Sequence, residues 1–490
     1  MPSWLYSGDP RPYGAPPSRG WHVTSIYSLM AKDKFNMKFH YYIVKGCIAL
    51  IAFIAVSSCG LYKKYERPSV SFVDSLYRRM DISPSDTVST ASVSWDQMFT
   101  DPILQEWIRL GLEHNTDMNV AELKVQESQA YLLAARRALL PGVSFSASGG
   151  GFPGTFTGQV SANWDADIFG SLRNSKRKAE AALVQTQAYK QAVQTQLVAT
   201  IAGSYYMLLM LDEQLKISNR TLKTWEENIR AMEALKRAGK TNEAAVLQAK
   251  ANKLSVEASV LNLEKEILAM ENSFCALLGT VPMAIHRGTL DEQQLPERLC
   301  AGVPAELLSR RPDVKQAEMA LAQCFYDTNI ARAAFYPNLS LSGALGWTTG
   351  KGGSIVLDPG SIITNLIASI AQPIFNRGAL KAKRLAAESK YKQATFEFRQ
   401  TLLDAGVEVN NAISLWETAK KRTDLDKKQI VNLQAAVWNT QLLMKHGNAS
   451  YLEVLTAQKN LLQVELGEVS DRYDEFQSVI NLYHALGGGY

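Results

Sequence analysis

The sequence predicts a mainly α-helical protein with a small β part, in which one unit of long antiparallel coiled-coil helices and two short strands occurs twice. Three observations predict this fold class: an internal repeat of about two hundred residues, two long stretches without proline, and four short segments that alternate apolar with small polar residues. The 490-residue chain is 46% hydrophobic and 20% charged. That composition excludes wholesale disorder, a collagen-like chain and a polytopic helical membrane protein.

The N-terminus has the pattern of a targeting segment. Lys38 and Lys45 precede the apolar run Cys47–Val56, and two serines then lead to Cys59. A basic region, a short apolar region and small residues at the cut are typical of a secretory signal. About ten apolar residues are too few for a helix that crosses a bilayer. We interpret Cys59 as a lipid attachment site. The alternative is an ordinary signal followed by a chance cysteine.

The net charge of +5 does not indicate an acidic partner. Residues 1–58 carry six basic and two acidic side chains, so the rest of the chain is close to neutral. A nearly neutral body lacks the electrostatic footprint of a nucleic-acid-binding protein. Because Met37 stands where a signal would normally begin, residues 1–36 are interpreted as an extension upstream of the true start.

An internal repeat organises the remainder. Pro141–Ser146 recurs as Pro337–Ser342, 196 residues later, and Gly239 recurs as Gly447, 208 residues later. Repeats at a fixed period indicate that one structural unit is used more than once. The predicted organisation is an upstream extension and lipoprotein signal (1–58), a lipidated extended segment (59–100), a first repeat (101–300, strands about 143–165) and a second repeat (301–490, strands about 339–373).

Long helices are predicted in each half. No proline occurs between Pro153 and Pro282 or after Pro373. Apolar residues step by three and four, as in Leu222, Trp225, Ile229 and Met232. Such steps keep one seam facing a partner helix and supercoil the pair. Any single one of these apolar runs would also fit an amphipathic helix packed on a globular core. Helices of about 50 residues would greatly exceed the usual ~11–12 and favour a coiled coil.

Each half contains one matched break in its helices. Gly447 can end a helix with positive φ, and Ser450 with Glu453 can form a capping box that starts the next helix. In the first half, Gly239 is the equivalent stop and Asn242 the N-cap candidate. These breaks predict stacked helix pairs with a girdle midway along the rod.

Four short strands are predicted at 143–149, 156–164, 339–347 and 363–373. In the second, Phe156, Val160 and Trp164 share one face, and small polar residues share the other. Membrane barrel strands alternate in this way, and so does a soluble hairpin with one buried face. Four strands leave two open edges, which lipid does not tolerate. If the strands span a membrane, several copies must therefore close one barrel together.

No catalytic or metal-binding constellation is predicted. The six histidines are scattered without the spacing of a metal site. Pro312 and Asp313 suit the first turn of a helix better than a phosphate site. After the signal and Cys59, three cysteines remain (Cys275, Cys300 and Cys324), an odd number that excludes a complete disulfide framework. Cys275 either packs as a small apolar residue or pairs with Cys300.

Several further motifs stand in order along the chain. They are Val56–Cys59, Tyr65–Pro68, Trp95 with Phe99–Pro102, Val303–Asp313, Ala331–Pro337, Gln372–Phe375, Gly447–Gln458 and Leu482–Gly489. Together they resemble the outer-membrane factor lipoproteins, the TolC-like proteins of the OprM/NodT type that serve tripartite efflux systems. The resemblance covers residues 59–490.

The resemblance implies a homotrimer. Each copy would lend four strands to one 12-stranded outer-membrane β-barrel and its helices to a hollow periplasmic α-barrel tunnel. The implied function is the passive exit duct of a tripartite efflux pump that expels drugs or other small molecules, with no enzymatic step. The implied partners are a periplasmic adaptor (membrane fusion) protein, an inner-membrane RND-type transporter and outer-membrane lipid, with no nucleic acid.

The resemblance also implies a lipid anchor in the outer membrane of a Gram-negative bacterium. Cys59 would carry S-diacylglycerol and N-palmitoyl groups, and no other cofactor is expected. Two alternatives stay open on the sequence alone: an exit duct for a type I protein or peptide secretion system, and a lipid-anchored periplasmic coiled-coil scaffold.

A gate is implied where helix tips converge at the closed periplasmic end. The resemblance implies that these tips lie near residues 203–212 and 407–416. The predicted gate consists of Asn410 and Asn411, which can hydrogen-bond across a constriction, with Ala412 and Ile413 as an apolar plug. The alternative is an interior helical segment with two solvated asparagines.

Overall fold

The computed structural model of the chain describes residues 64–69, 76, 94–150, 155–294, 311–348 and 363–488. Four predicted features lie outside these residues: the signal, the lipid attachment site Cys59, Cys300 and the boundary between the repeats. The described helices are α1 (Trp95–Met98), α2 (Pro102–His114), α3 (Thr116–Arg137), α4 (Ser171–Arg237), α5 (Glu243–Leu277), α6 (Pro312–Ala333), α7 (Ala379–Lys445) and α8 (Tyr451–Ala485). The strands are β1 (Gly142–Gly150), β2 (Thr155–Ala166), β3 (Asn338–Thr348) and β4 (Ile363–Ala371).

The duplication is confirmed by the lengths of matching helices. α3 and α6 each have 22 residues, α4 and α7 each have 67, and α5 and α8 each have 35. Both 67-residue helices begin after a glycine with positive φ, Gly170 at 72° and Gly378 at 80°. The two halves therefore share one unit of helix, hairpin, very long helix and returning helix.

The four strands form one antiparallel sheet in the order β1-β2-β3-β4. Val143 lies opposite Ala162, Val160 opposite Leu345, and Leu339 opposite Ile370. Each strand lies within two residues of its predicted bounds. Among the described strands, β1 and β4 each pair on one side only, so the sheet of a single chain is open at both edges.

Each very long helix pairs with the shorter helix that follows it. Lys250 bonds Glu233 at 2.7 Å and Lys253 bonds Glu226 at 3.2 Å, so positions rising along α5 meet positions falling along α4. Arg422 of α7 bonds Asp471 of α8 at 2.7 Å. The antiparallel pairs α4/α5 and α7/α8 are called here the first and second helical hairpins.

The main apolar cluster lies around the middle of α4, where α2, α5, α8 and the segment 278–294 meet. Tyr205 is fully buried there and its hydroxyl donates to Asp101 at 2.7 Å. Burial is the main reason that the pKa of Tyr205 is raised. Arg287 fixes the segment 278–294, because its guanidinium bonds both Asp212 of α4 and Glu271 of α5 at 2.5 Å.

A second anchor fixes the start of α6. Pro312 occupies the first turn of the helix, as predicted, and Asp313 accepts the Val314 N–H at 2.8 Å. The preceding Arg311 is only 3% exposed, donates to the Ala485 carbonyl at 2.6 Å and bonds Glu408 at 2.8 Å. This one side chain therefore connects α6, α7 and the end of α8.

Cys275 is a buried free thiol, and Cys324 is also free. The Cys275 thiol donates to the Met283 carbonyl at 3.5 Å. Since its thiol is free, Cys275 packs as a small apolar residue and the alternative of a bridge to Cys300 is wrong. No helix in the described part of the chain combines the length and apolar character needed to cross a membrane.

Candidate functional site

The predicted gate residues lie in the middle of α7 rather than at a helix end. Asn410 donates to the Leu76 carbonyl at 2.8 Å and to the Gly406 carbonyl at 2.7 Å. Ala412 is buried, Ile413 packs partly against an apolar cluster of α6, α7 and α8, and Asn411 is exposed. The expectation that a tip lies near 407–416 is wrong. A gate at these four residues is untested, but it has lost the geometric reason for which it was predicted.

The other expected tip, at 203–212, is also misplaced. Tyr205, Leu208 and Leu209 belong to the main apolar cluster, and all three are at most 1% exposed. α4 continues for about 25 residues beyond this stretch before it ends at Arg237. The stretch is the best-packed part of the helix, because α2 and α8 both cover it.

The helix breaks at Gly239 and Gly447 form the ends of the helical hairpins. A helix of 67 residues is about 100 Å long, and α4 and α7 each run that distance from the sheet to these breaks. The prediction of a girdle midway along the rod is therefore wrong. We call the turns 238–242 and 446–450, with the adjoining helix ends, the far end of the protein.

Local hydrogen bonds define both turns at the far end. Gly239 has φ 69° and Gly447 has φ 76°, a backbone conformation that favours glycine. The Asn242 side chain accepts the Ala245 N–H at 3.0 Å and so caps α5. Ser450 donates its backbone N–H to Glu453 at 3.1 Å within a capping box. These bonds lower the pKa of Glu453, so it stays charged at the start of α8.

An apolar cluster joins the two hairpins at the far end. It combines side chains from α4, α5 and α8 that are less than a tenth exposed: Trp225, Met232, Val246, Ala249, Val256, Tyr451, Val454 and Leu455. Apolar contacts of this kind are non-directional. This cluster therefore packs the start of α8 against both helices of the first hairpin.

Three polar links cross the seam between α4 and α8. Gln214 donates to Ser470 at 3.0 Å, Arg220 bonds Glu465 at 2.8 Å, and Asn228 donates to Gln458 at 2.9 Å. Glu465 is 12% exposed whereas Arg220 is 63% exposed. These links follow the seam from the main apolar cluster, beside Gln214, toward the far end, and together with the apolar contacts they hold the second hairpin against the first.

The same seam contains two incompletely satisfied polar groups. Within the described residues, the Tyr451 hydroxyl and the Gln458 Nε2 are buried without a hydrogen-bond partner. Burial raises the pKa of Tyr451 to about 12. A buried polar group without a partner costs roughly 1–3 kcal/mol. The seam is therefore less stable than its apolar packing alone would make it.

A polar groove of about 390 Å³ lies between α4 and α8 nearer the sheet. Gln477 donates to Asn481 at 2.8 Å along one wall. On the other wall, the absence of a side chain at Gly203 leaves room for the groove, because a Cβ atom at this position would lie 3.0 Å from the Gln477 side chain. Burial lowers the pKa of His484, which favours its neutral form. The described residues that line the groove include no carboxylate, lysine or arginine.

These features do not form a reaction centre. No group of three or more histidine, cysteine or carboxylate side chains suited to a metal ion occurs among the described residues. The strongest polar clusters, around Arg287 and Arg311, consist of paired charges that fix neighbouring elements. The arrangement is that of a long helical body in which the two hairpins pack against each other along the α4/α8 seam.

Comparisons with known proteins agree with this architecture. The family model described as "Outer membrane efflux protein" matches residues 107–280 and 303–488. The chain is 29% identical over 458 residues to "Cation efflux system protein CusC" of Escherichia coli O6:H1, covering 91% of this chain and 98% of that protein. It is 26% identical over 448 residues to "Probable outer membrane lipoprotein SilC" of Salmonella typhimurium, with 89% and 97% covered.

The fold is also similar to solved structures. A crystal structure of CusC has a TM-score of 0.79 and 28% sequence identity, and the match covers 88% of this chain and all of that chain. Sequence reasoning did not find the polar links across the α4/α8 seam. The two residues of each link are more than two hundred positions apart in the sequence. The signal that could have indicated these links is that polar residues interrupt the apolar stripe of α8.

Proposed function

Because the chain belongs to the outer membrane efflux protein family, we propose that three copies of it form the passive exit duct of a tripartite efflux pump. The chain is an outer-membrane efflux channel component and not an enzyme, as its family indicates. The trimer, the adaptor and the transporter belong to the proposal. A periplasmic adaptor would bind the helical body, and an RND-type transporter of the inner membrane would supply the energy.

The observation that supports the proposal best is the open sheet. β1 and β4 have unpaired edges among the described strands, and one face of the sheet exposes apolar side chains. Val143 is 72% exposed, Phe145 63%, Leu366 88% and Ile370 74%. Lipid suits this face but does not tolerate open strand edges. Three four-stranded sheets joined edge to edge make a closed barrel of twelve strands, which satisfies both requirements.

The helical body has matching open edges. α4 packs on α8, so α5 and α7 are the outer helices of the two hairpins. Leucines spaced by seven residues along α5 are more than half exposed: Leu247, Leu254, Leu261 and Leu268. α7 exposes Leu425, Val431 and Trp438 to a similar degree. Exposed apolar stripes of this length mark an interaction surface, and the α7 stripe of another copy is the partner that would close a helical tunnel.

Opening is proposed to occur at the far end. Near the far end the second hairpin is held by the link from Asn228 to Gln458 and by an apolar cluster that includes Tyr451, whose hydroxyl is unsatisfied. Two further polar links follow along the seam toward the sheet. An adaptor that binds the separated hairpins more tightly than the packed ones would shift the population toward the open state. The chain needs no chemical step for this change.

Cys59 is proposed to carry the lipid anchor, with S-diacylglycerol and N-palmitoyl groups. The sequence around it supports this, and the relative SilC is named a probable lipoprotein. Mass spectrometry of the purified protein should find an N-terminal Cys59 with a mass added by three acyl chains. An unmodified Cys59 within an uncleaved chain would refute the anchor.

The cargo is proposed to be drugs or other small molecules, since the matching family model is described as an outer membrane efflux protein. The name of the relative CusC mentions cations, and drugs or other small molecules fit a passive duct equally well. A type I secretion duct and a periplasmic scaffold are the competing functions. Native mass spectrometry of the detergent-extracted protein should give three times the mass of the mature chain, and a strictly monomeric protein would refute the duct.

A further inference from the structure

The polar groove between α4 and α8 lies on one side of a wall of helices. α5, α4, α8 and α7 pack side by side in that order. α2 covers one face of this wall, since Tyr205 of α4 donates to Asp101 at 2.7 Å and Ile201 belongs to the same apolar cluster as α2. An α-helix turns once every 3.6 residues, so Thr200 and Gly203, which line the groove, lie on the opposite face.

This placement turns the groove toward the passage of the proposed duct. A tunnel that is closed by a single wall of helices needs its inner face free. The second layer formed by α2 and the segment 278–294 therefore lies outside, and the groove on the opposite face lines the interior. Along α4, the groove begins about 38 Å from the start of the helix at Ser171 and extends over about 16 Å, from Gln196 to Met207.

The two ends of the groove differ in chemistry. Thr195 of α4 donates to the Gly487 carbonyl at 3.4 Å, and Gln214 donates to Ser470 at 3.0 Å, so α4 and α8 are antiparallel. The end of the groove nearer the sheet therefore combines polar side chains of both helices, whereas the other end is largely apolar. The polar end is lined by Gln196, Thr200, Asn481 and His484, and the apolar end by Met207, Met270 and the ring of Tyr473.

Hydrogen bonds along both walls orient the polar end. On α8, Gln477 accepts the Tyr473 hydroxyl at 3.0 Å and donates to the Asn481 side-chain oxygen at 2.8 Å, so the Asn481 amide presents its N–H groups. On α4, the Gln196 amide donates to Thr200 at 3.0 Å, so its carbonyl oxygen can accept. Gln196 and Asn481 are both exposed. An amide or hydroxyl group of a bound molecule can use both walls, because each group donates and accepts hydrogen bonds.

The groove favours an uncharged molecule. None of the described residues that line it is a carboxylate, lysine or arginine, and burial lowers the pKa of His484, which keeps its imidazole neutral. A charged solute would give up water without meeting an opposite charge, which costs free energy. The groove volume of about 390 Å³ lies at the lower end of the roughly 300–1,000 Å³ range of small-molecule sites. It therefore has room for one small drug-sized molecule.

We propose that this groove is a transient binding site for neutral, drug-sized molecules that carry an amide or hydroxyl group at one end and an apolar group at the other. The site rests on the duct proposed above and names the class of molecule that contacts the wall during passage. The polar group binds between Asn481 and Gln196, and the apolar group lies against the two methionines and the tyrosine ring. A site within a conduit must release its ligand easily, and the exposure of both amides lets water replace the polar contacts.

Three matched probes test the preference for a neutral molecule. N-acetyl-phenylalaninamide carries a phenyl ring and two amides without charge, N-acetyl-phenylalanine is its anionic analogue, and N,N,N-trimethylphenylalaninamide is its cationic analogue. Their binding to the detergent-extracted protein is measured by ligand-observed NMR titration. We expect the neutral probe to bind tighter than either charged analogue by about five-fold or more. Equal affinity for the three probes, or no binding of the neutral probe, would overturn the proposal.

Substitutions test the position of the site. Asn481→Leu removes the donor of the polar end, and the matched control Asn460→Leu changes an exposed amide of the same helix outside the groove. We expect a loss of affinity for the neutral probe of about five-fold in the first variant and no change in the control. Gly203→Leu should abolish binding, because its side chain fills the groove. Equal affinity of the Asn481 and Asn460 variants, or binding retained by Gly203→Leu, would overturn the site.

Recording in planar bilayers tests whether the groove faces the passage. The neutral probe should lower the current of open wild-type channels and leave the current of Gly203→Leu channels unchanged. A channel that conducts, binds the probe and keeps its full current would overturn the placement of the groove in the passage. A protein that forms neither a trimer nor a channel would instead refute the proposed function, and binding in the groove, which lies within one chain, is measured independently of that result.

Discussion

Weakening the α4/α8 seam should open the far end without any adaptor. We consider the double variant Arg220→Ala with Asn228→Ala, which removes two of the three polar links across the seam. The first change leaves Glu465, 12% exposed, without its cation. The second leaves the whole Gln458 amide unpaired, because its Nε2 already lacks a partner.

The magnitude follows from these environments. The Arg220 bond contributes little, about 0.5 kcal/mol, because the arginine is 63% exposed and solvent screens the pair. An unpaired buried amide oxygen costs about 1–3 kcal/mol. A total of about 2 kcal/mol corresponds to a roughly 30-fold shift in the equilibrium between packed and separated hairpins. A far end that is open about 1% of the time would then be open about a quarter of the time.

Single-channel recording in planar bilayers measures this shift as open probability. The matched control is Lys216→Ala, which removes an ion pair within α4, one turn from Arg220, and crosses no seam. We expect a strong increase for the double variant and no change for the control. An open probability that is the same in both variants would refute the view that this seam controls opening.

Two further predictions concern the contacts that fix the helical body. Arg311→Ala should lower the free energy of unfolding by about 2 kcal/mol, because the buried Ala485 carbonyl loses its donor and two carboxylates lose their cation. Denaturant unfolding measures this loss, and the control Lys315→Ala, in the first turn of α6, should cost less than about 0.5 kcal/mol. Equal losses in the two variants would contradict the role assigned to Arg311. Burial, and a hydrogen bond that the protonated carboxyl donates to Asp426, raise the pKa of Asp471 to about 6. Because this carboxyl binds its proton more tightly in the folded state, its contribution to stability is present at low pH and is lost as pH rises from about 4 through about 6. Asp426→Asn should flatten this dependence in melting curves between pH 4 and 7, and an unchanged profile would contradict the pairing.

The regular parts of the fold could be predicted from the sequence because they depend on local periodicity. The alternation of Phe156, Val160 and Trp164 located β2, and the absence of proline located the long helices. The repeat could be recognised because Gly239 and Gly447 must adopt positive φ at equivalent turns. These signals are local, so they can be recognised in a single sequence.

The position of the far end could not be predicted in the same way. The apolar steps continue through α4 without a change at residues 203–212, so periodicity does not show where a helix 67 residues long will end. The glycine turns were recognised but were interpreted as a girdle, because the sequence does not give their distance from the sheet. The links from Arg220 to Glu465 and from Asn228 to Gln458 join distant positions that a single sequence does not pair.

Conductance of the purified trimer in a planar bilayer tests the central claim most directly. If three open sheets close one barrel around a continuous passage, the trimer should give discrete, uniform conductance steps, and the seam variant should open them more often. A homogeneous trimer that inserts into the bilayer but conducts no ions, with or without the seam substitutions, would contradict the duct.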